Sequence, residues 1–504
     1  MGINLLQNIA LGVVSFFSLT NLLLIGIGTF CGIIIGAMPG LSTTMGIALF
    51  VPFTFSLSPI AGLAMLGGLY NGSVYGGSIS AILLRTPGTA ASCATVFDGY
   101  PMTQKGQGAK ALGIALVSSF IGGIFGAVIL LSLAPPLASF ALSFGPPEYF
   151  MVAVLGLTII ISLSDDKSLI KGFLAGAFGL LIATVGFDTI EGFPRFTFGN
   201  VGLYDGVSLV PALIGLFSFS QALRLCLKPD SKNAVPAKSN LIGNALPSWT
   251  ELHSIRKTLL RSSIIGTIVG ILPGAGADIA SFVSYSEAKR KSDRPETFGT
   301  GIIEGVAASE ASNNAVVGGS LVPLLTLGIP GNSASAVLLG GLLIHGLNPG
   351  PMLFTGRPDV VYGFIMSLLV ANVIMFVMGL AGLKIFPQVL RVPNKILVPL
   401  IIVFSVAGSY AIQNSFMDVS LMLGFGVIGV VLEHFNFPLA PIVLGIILGP
   451  IAEDALWQSL IISNGSYAIF FTRPISLVLF VLSVASILYA LFNKYKQQLL
   501  RRNA

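Results

Sequence analysis

GGSISAILLRTPGTAAS at residues 76–92 and GGSLVPLLTLGIPGNSAS at residues 318–335 decide how this chain is read. Each opens on Gly-Gly-Ser, runs through an apolar stretch and stops at a Pro-Gly followed by short polar side chains. Glycine lets a chain turn and approach another backbone closely. Proline removes an N–H donor and breaks a helix. Upstream, Gly32-x3-Gly36-x2-Pro39-Gly40 recurs 234 residues later as Gly266-x3-Gly270-x2-Pro273-Gly274. Paired Pro-Gly interruptions at matching places in two halves of an apolar chain point to the central substrate site of a transporter.

The surroundings of these breaks are strongly apolar. Hydrophobic residues make up 54% of the 504 and charged residues 9%, with a mean hydropathy of +0.91. A soluble domain carries about 25% charged residues, so too little polar surface remains here to coat a water-soluble globule. The chain reads as an all-α polytopic protein of the lipid bilayer. Apolar runs at 11–37, 111–134, 150–163, 169–186, 207–226, 362–383, 396–412, 417–432 and 475–492 are expected to span, with broken or re-entrant runs at 41–70, 262–285 and 317–344. At roughly 20 residues each, these give about 12 crossings. None alternates residue by residue as barrel strands do. The first residues, MGINLLQNIALGVV, lack a basic start and a small-residue cleavage site and read as a retained first helix. Cys31, Cys93 and Cys226 form no Cys-x-x-Cys, and no disulfide framework is expected.

The net charge of +6 matters less than its placement. Basic residues gather at Arg224, Lys228, Lys232, Lys238, Arg256, Lys257 and Arg261, again at Lys289, Arg290, Lys291 and Arg294, and again at Lys494, Lys496, Arg501 and Arg502. The positive-inside rule places all three groups in the cytoplasm, and their juxtamembrane position argues against nucleic acid as a partner. The polar stretch 227–260 then reads as a cytoplasmic linker between a membrane repeat at 1–226 and a second at 261–492, with a basic cytoplasmic tail at 493–504. Further matches accompany the opening ones. Asn71 corresponds to Asn314, Pro87-Gly88 to Pro330-Gly331 243 residues on, and Pro211-x3-Gly215 to Pro441-x3-Gly445 230 residues on. Breaks that meet at the midplane suit inverted repeats, which need an odd number of crossings per half and so conflict with one of the three cytoplasmic placements.

A Pro-Gly break frees N–H groups at the start of the following half-helix, and such an end attracts anions. The candidate substrate contacts are therefore Pro39, Gly40, Ser42 and Thr43; Pro87, Gly88, Thr89 and Ser92; Pro273 and Gly274; Pro330, Gly331, Asn332 and Ser333; and Ser78 and Ser320 of the Gly-Gly-Ser motifs. Small residues also let membrane helices pack closely, which is the plain reading of a single Gly-Gly-Ser; two copies with polar followers favour a site. A bulky side chain at Gly331 is expected to abolish transport and leave the fold intact. Arg85 lies in an apolar run and would suit a carboxylate, or else it snorkels from a helix end to the interface; its counterpart is Gly328. Asn71, Asp278, Glu310, Asn313 and Asn314 are candidates to hold a coupling ion, Na⁺ among them. A helix cap is the simpler role for Asp278, and Glu304 and Glu310 fit a loop-to-helix transition as well.

No Gly-Lys dipeptide occurs, so there is no P-loop. The three histidines are scattered without metal spacing, and no Gly-x-Ser-x-Gly elbow is present. The expectation is a protein that is not an enzyme, with no catalytic residues and no cofactor. The alternative, a membrane-embedded enzyme acting on a lipid or polyprenyl substrate, lacks an acid cluster or nucleophile with positioned partners.

Longer motifs add a resemblance. MPGLSTTMGIALFVPFTF at 38–55, YNGSVYGGSISAILLRTPGTAAS at 70–92 with FDGYPM at 97–102, LPGAGADIASFVSYSEAKR at 272–290 and EGVAASEASNNAVVGGSLVPLLTLGIPGNSASAVLLGGLLIHGLNPGPM at 304–352 carry it. The chain resembles the large membrane subunit of the tripartite tricarboxylate transporters, the TctA family. The resemblance implies a secondary transporter of the bacterial inner membrane that takes up citrate or other carboxylates on a Na⁺ or H⁺ gradient. It implies a small membrane partner of about four helices, each of spanning length, and a periplasmic solute-binding protein that delivers the carboxylate. The chain departs from the family's usual pattern at Ser42-Thr43, Thr89 and Ser309, and two of these departures fall at proposed ligand-facing positions.

Overall fold

The structure, a computed structural model, describes residues 5–163, 169–188, 192–227, 246–273, 276–383, 385, 388, 390 and 392–502. It is helical almost throughout. The helices are α1 (Leu5–Phe16), α2 (Leu19–Ala37), α3 (Thr43–Thr54), α4 (Pro59–Leu84), α5 (Val96–Gln104), α6 (Gly108–Ala141), α7 (Pro146–Leu163), α8 (Leu169–Ala183) and α9 (Leu209–Leu227). They continue as α10 (Trp249–Ile271), α11 (Gly276–Lys291), α12 (Ile303–Leu327), α13 (Ser333–Ile344), α14 (Pro351–Gly356), α15 (Pro358–Gly382), α16 (Asn394–Gln413), α17 (Phe416–His434), α18 (Ala440–Ile462), α19 (Ile469–Thr472) and α20 (Pro474–Arg502). A short antiparallel ribbon pairs Gly186–Phe187 with Pro194–Arg195.

Several boundaries differ from the expected ones for local reasons. The run 11–37 is two helices, because Ser18 caps α2 by accepting from Asn21 N at 3.2 Å. The stretch read as a linker ends early: Ser248 and Glu251 form a reciprocal capping box that starts α10 at Trp249. The rest of that linker, 228–245, lies outside the described residues. The basic tail is, as far as Arg502, the end of α20.

Seven helices among the described residues are long and apolar enough to cross a membrane: α2, α6, α9, α15, α16, α17 and α18. Large apolar side chains such as Leu19, Ile268, Val377, Phe416 and Val478 stay exposed on the outside, the surface a lipid environment covers. The central helices α4 and α12 follow the opposite rule. Every residue of 61–83 and of 305–326 is buried. Having no lipid face, they are free to carry polar groups, and Asn71, Ser73, Ser78, Ser80, Glu310, Asn313, Asn314 and Ser320 lie within them.

Glycine makes this burial possible. Gly28, Gly32 and Gly36 of α2 sit on the carbonyls of Met65, Leu69 and Ser73, and Gly68, Gly72 and Gly76 of α4 sit on those of Ile25, Thr29 and Ile33. A Cβ at any of them would overlap backbone. In the second half, Gly266 and Gly270 sit on the carbonyls of Ser312 and Val316, while Gly319 faces that of Thr267. Gly32, Gly36, Gly266 and Gly270 are therefore packing residues.

The same contacts fix direction. Residues 28, 32 and 36 meet 65, 69 and 73 in order, so α2 runs parallel to α4 and stops halfway along it. The chain then doubles back as α3, with Gly46 against Ile35 and Thr54 against Gly62. Beyond the far end of α4 it doubles back again. Gly88 N donates to Gly77 O at 3.2 Å, and α5 climbs out with Thr103 Oγ1 donating to Ile82 O at 2.8 Å. Two re-entrant segments thus reach the middle of α4 from its opposite ends. Around α12, α10 and α11 form one hairpin, with Ser292 Oγ donating to Glu304 at 2.8 Å, and Gly331 N donates to Ser320 O at 3.3 Å in another.

The halves interlock. α6 packs on α12 and α15 on α4; α9 packs on α16 and α17, and α18 on α7 and α8. Gly32→Leu is expected to lower the melting temperature of the purified protein in detergent, since overpacking costs about 1–3 kcal/mol. Gly424→Ala, whose added Cβ would meet nothing within 4 Å, should leave it unchanged. Equal melting of Gly32→Leu and the parent would contradict the glycine seam.

Candidate functional site

All four breaks converge. A cavity of about 480 Å³ is lined by Ser42, Thr43 and Thr44 from the first break, Thr89, Ala90 and Ala91 from the second, Gly276 to Ile279 after the third, and Asn332 to Ala334 after the fourth. Tyr70 and Val74 of α4 form one wall, and Phe217, Arg224 and Glu433 form another. A smaller neighbouring cavity of about 310 Å³ touches Gly40, Ser42, Pro87, Gly88 and Thr89.

The tips are held mainly by protein hydrogen bonds. Ser42 caps α3 by accepting from Met45 N at 3.1 Å. Asn332 caps α13 by accepting from Ser335 N at 2.8 Å, and Ser335 Oγ accepts from Asn332 N at 2.9 Å. Gln221 Nε2 donates to Gly40 O. The two Pro-Gly tips are also held across the halves. Asn332 Nδ2 donates to Tyr70 Oη at 2.7 Å, and Tyr70 Oη lies 3.2 Å from Ser320 Oγ. Asn313 Nδ2 donates to Ala91 O at 3.3 Å. Tyr70 and Asn313 stand 243 residues apart, the same interval as Gly88 and Gly331. Tyr70 of α4 thus secures the tip that follows Gly331, and Asn313 of α12 the tip that follows Gly88.

Behind the second tip lies a buried carboxylate. Glu310 is fully enclosed and accepts from Thr95 Oγ1 at 2.5 Å, Ser119 Oγ at 2.9 Å and Asn313 Nδ2 at 3.3 Å. All three donors are neutral. Asp98, also fully buried, plays an anchoring role: its Oδ1 accepts from the N–H groups of Gly299, Gly301 and Ile302, and its Oδ2 from Tyr285 Oη at 2.8 Å. It clamps α5 to the loop that starts α12.

The expected site residues divide into three groups. Ser42, Thr43, Thr89, Asp278, Asn332 and Ser333 line the main cavity, with Gly40, Pro87 and Gly88 on the smaller one. Pro39, Pro273, Ser78, Ser92, Ser320 and Pro330 shape the breaks or brace them from behind; Ser78 Oγ, for example, donates to Tyr75 O at 2.7 Å. Asn71, Glu310, Asn313 and Asn314 are fully or almost fully buried outside the cavity wall. Gly274 lies outside the described residues. Two expectations are corrected. Arg85 is exposed at the end of α4 in a left-handed conformation (φ 59°), its guanidinium 5.9 Å from the centre of the Tyr100 ring. It lies outside the cavity, and Gly328 ends α12 with the same hand (φ 75°). Gly331 has no room for a side chain, since a Cβ would overlap Gly270 O; a bulky residue there would disturb packing, so it cannot leave the fold intact.

Tyr70, Arg224 and Glu433 were not anticipated. Tyr70 sits one residue before Asn71, and its equivalence to Asn313 was available from the 243-residue interval. Arg224 was counted with the linker charges. It pairs with Glu433, Nη1 to Oε2 at 2.6 Å. A π-helical turn at Ile214–Phe219 rotates this end of α9 and brings Phe217 to the cavity.

The cavity can hold a small polar molecule, with hydroxyl and amide donors at the tips and one cation among the described lining residues. Comparison with known proteins agrees with a transport role. Residues 22–444 match the family described as "Tripartite tricarboxylate transporter TctA family". A protein of Agrobacterium vitis described as "Uncharacterized 52.8 kDa protein in TAR-I ttuC' 3'region" is 38% identical over 495 residues, 98% of each chain. A second from that organism, "Uncharacterized protein in TAR-II ttuC' 3'region", is 38% identical over 233 residues, 46% of this chain and 96% of its own length. A manganese transporter of Eremococcus coleocola aligns over 92% of this chain and 95% of its own at 12% identity, but with a TM-score of 0.13 it carries no argument. This multi-pass membrane chain belongs to the tripartite tricarboxylate transporter TctA family.

Proposed function

We propose that the chain is the permease of a binding-protein-dependent secondary transporter that moves tricarboxylates or related carboxylates across the bacterial inner membrane. The convergence of four helix breaks on one cavity is the observation that carries this reading. A carboxylate in the cavity meets Ser42 and Thr43 at the start of α3 and Asn332 and Ser333 at the start of α13, where helix ends favour negative charge. The periplasmic solute-binding protein supplies the substrate, and the small membrane subunit completes the assembly. Two inverted repeats meeting at these breaks provide the alternating access.

A cation must travel with the anion. Asp278 and Glu433 both line the cavity and oppose one arginine, so a multiply charged carboxylate enters a field that already carries negative charge. A carboxyl group also sits deeper, at Glu310, whose donors are neutral. Among the described residues, Asn71 Oδ1, Asn314 Oδ1 and Asn372 Oδ1 are buried oxygens with no hydrogen-bond donor. Asn71 Nδ2 and Asn372 Nδ2 share Leu368 O, at 3.5 and 2.8 Å, and Asn314 Nδ2 donates to Glu310 O at 3.2 Å and to Asn313 Oδ1 at 2.7 Å. Amide oxygens and a buried carboxyl group are ligands for a hard cation. We assign Na⁺ coupling to Asn71, Glu310, Asn313 and Asn314 with Asn372, and Asp278 to the cavity end of the path.

Uptake of radiolabelled citrate into proteoliposomes holding the chain, its small partner and its binding protein tests the first claim. Uptake should need both the binding protein and a cation gradient, and Asn332→Ala with Ser333→Ala should cut it at least about tenfold, the loss of one or two charge-assisted hydrogen bonds. Uptake unchanged by the double substitution removes the cavity from the substrate's path. The coupling assignment is read separately, by ²²Na⁺ binding to the purified chain in nanodiscs. Asn71→Ala and Asn314→Ala should each weaken it, and binding equal to the parent contradicts the assignment.

A further inference from the structure

Arg224 is the one cation among the described residues lining either cavity, and it is already bonded. Its Nη1 meets Glu433 Oε2 at 2.6 Å. Both residues line the main cavity, and both side chains keep part of their surface in solvent, 37% and 28%. An ion pair so exposed is held weakly. Arg224 ends α9 and Glu433 ends α17, so the pair joins two helices of different halves at the solvent-reaching side of the cavity. Glu433 also lines the smaller cavity beside Gly40 and Gly88. The side chain that neutralises Arg224 is itself a carboxylate, and it occupies Nη1, one of the guanidinium donors that a carboxylate ligand would use.

We propose that Glu433 is a built-in stand-in for the substrate: on binding, a substrate carboxylate takes its place on Arg224. This rests on the carboxylate reading above and narrows it. A ligand that bonds Arg224 at one end and the starts of α3 and α13 at the other needs at least two carboxylates. Monocarboxylates of the same length fail to bridge the cavity. Exchange also removes the ion pair between the ends of α9 and α17, while the packing of the two helices on each other remains.

The test uses the full chain in nanodiscs and measures binding of citrate, succinate and butyrate by calorimetry. The parent should bind citrate or succinate and should discriminate against butyrate, which matches succinate in carbon number but carries one carboxylate. Arg224→Gln should weaken dicarboxylate or tricarboxylate binding about tenfold or more and shrink the succinate-to-butyrate ratio, with Arg224→Lys in between. Glu433→Gln should do the opposite and tighten binding, because the internal competitor is gone. The sign of that change separates stand-in from latch. If Glu433→Gln weakens binding as Arg224→Gln does, the pair only holds helices together and the proposal falls. It falls equally if Arg224→Gln binds like the parent. If the parent binds none of the three, the carboxylate reading fails and takes this inference with it.

Discussion

Hydrocarbon offers no partner to an unpaired backbone group, and the four helix breaks of this chain are shaped by that constraint. A chain that stops being helical at membrane depth must find hydrogen bonds inside the protein or line a wet cavity. Here both happen. Gly88 N and Gly331 N bond back to Gly77 O and Ser320 O, and the bare α-carbons of these glycines allow their tips to rest against the carbonyls of Gly36 and Gly270. Ser42 and Asn332 cap further donors at the starts of α3 and α13. Glycine is needed at these two positions for close approach, and a side chain would separate the tip from the backbone that satisfies it.

The rest of the architecture serves those tips. α4 and α12 must be enclosed on every side to carry the polar groups that brace them, so α2 and α10 close on them through glycine seams and α6 and α15 pack beside them. The bracing is reciprocal. Tyr70 of one half bonds Asn332 of the other, and Asn313 of the second half bonds Ala91 of the first. Movement of one half against the other would therefore alter the hold on a tip. The buried Glu310 sits one residue contact behind these bonds, through Asn313, so under the proposed function a cation there and a substrate at the tip would act on the same hydrogen bonds.

Much of this was legible in the sequence because breaks and intervals are local or periodic facts. Pro-Gly after a long apolar run reports a broken helix wherever it occurs, and the constant 243-residue spacing ties the two second breaks together. Contacts between distant segments were not legible. Arg224 and Glu433 are 209 residues apart, and only their meeting at the cavity distinguishes Arg224 from the neighbouring linker charges. Arg85 drew attention because it stood alone among apolar residues, yet a helix end supplied an ordinary place for it. α18 went unread as a span because Glu453 and Asp454 interrupt it; Glu453 is in fact paired with Arg195, at 2.6 and 3.1 Å. The repeated glycines of α2 and α10 marked the breaks that follow them, and their spacing of four serves helix contact.

The central claim is that the cavity between the four tips receives the carboxylate. Cysteines introduced singly at Thr43 and Ser333, in a chain whose Cys31, Cys93 and Cys226 have been replaced by serine, report on it through labelling with a small thiol reagent. Citrate, in the presence of Na⁺, should slow labelling at both positions while leaving a control cysteine at the exposed Met352 unaffected. Labelling at Thr43 and Ser333 that proceeds at the same rate with and without carboxylate, in a chain that still binds or transports it, would place the substrate elsewhere and contradict the account.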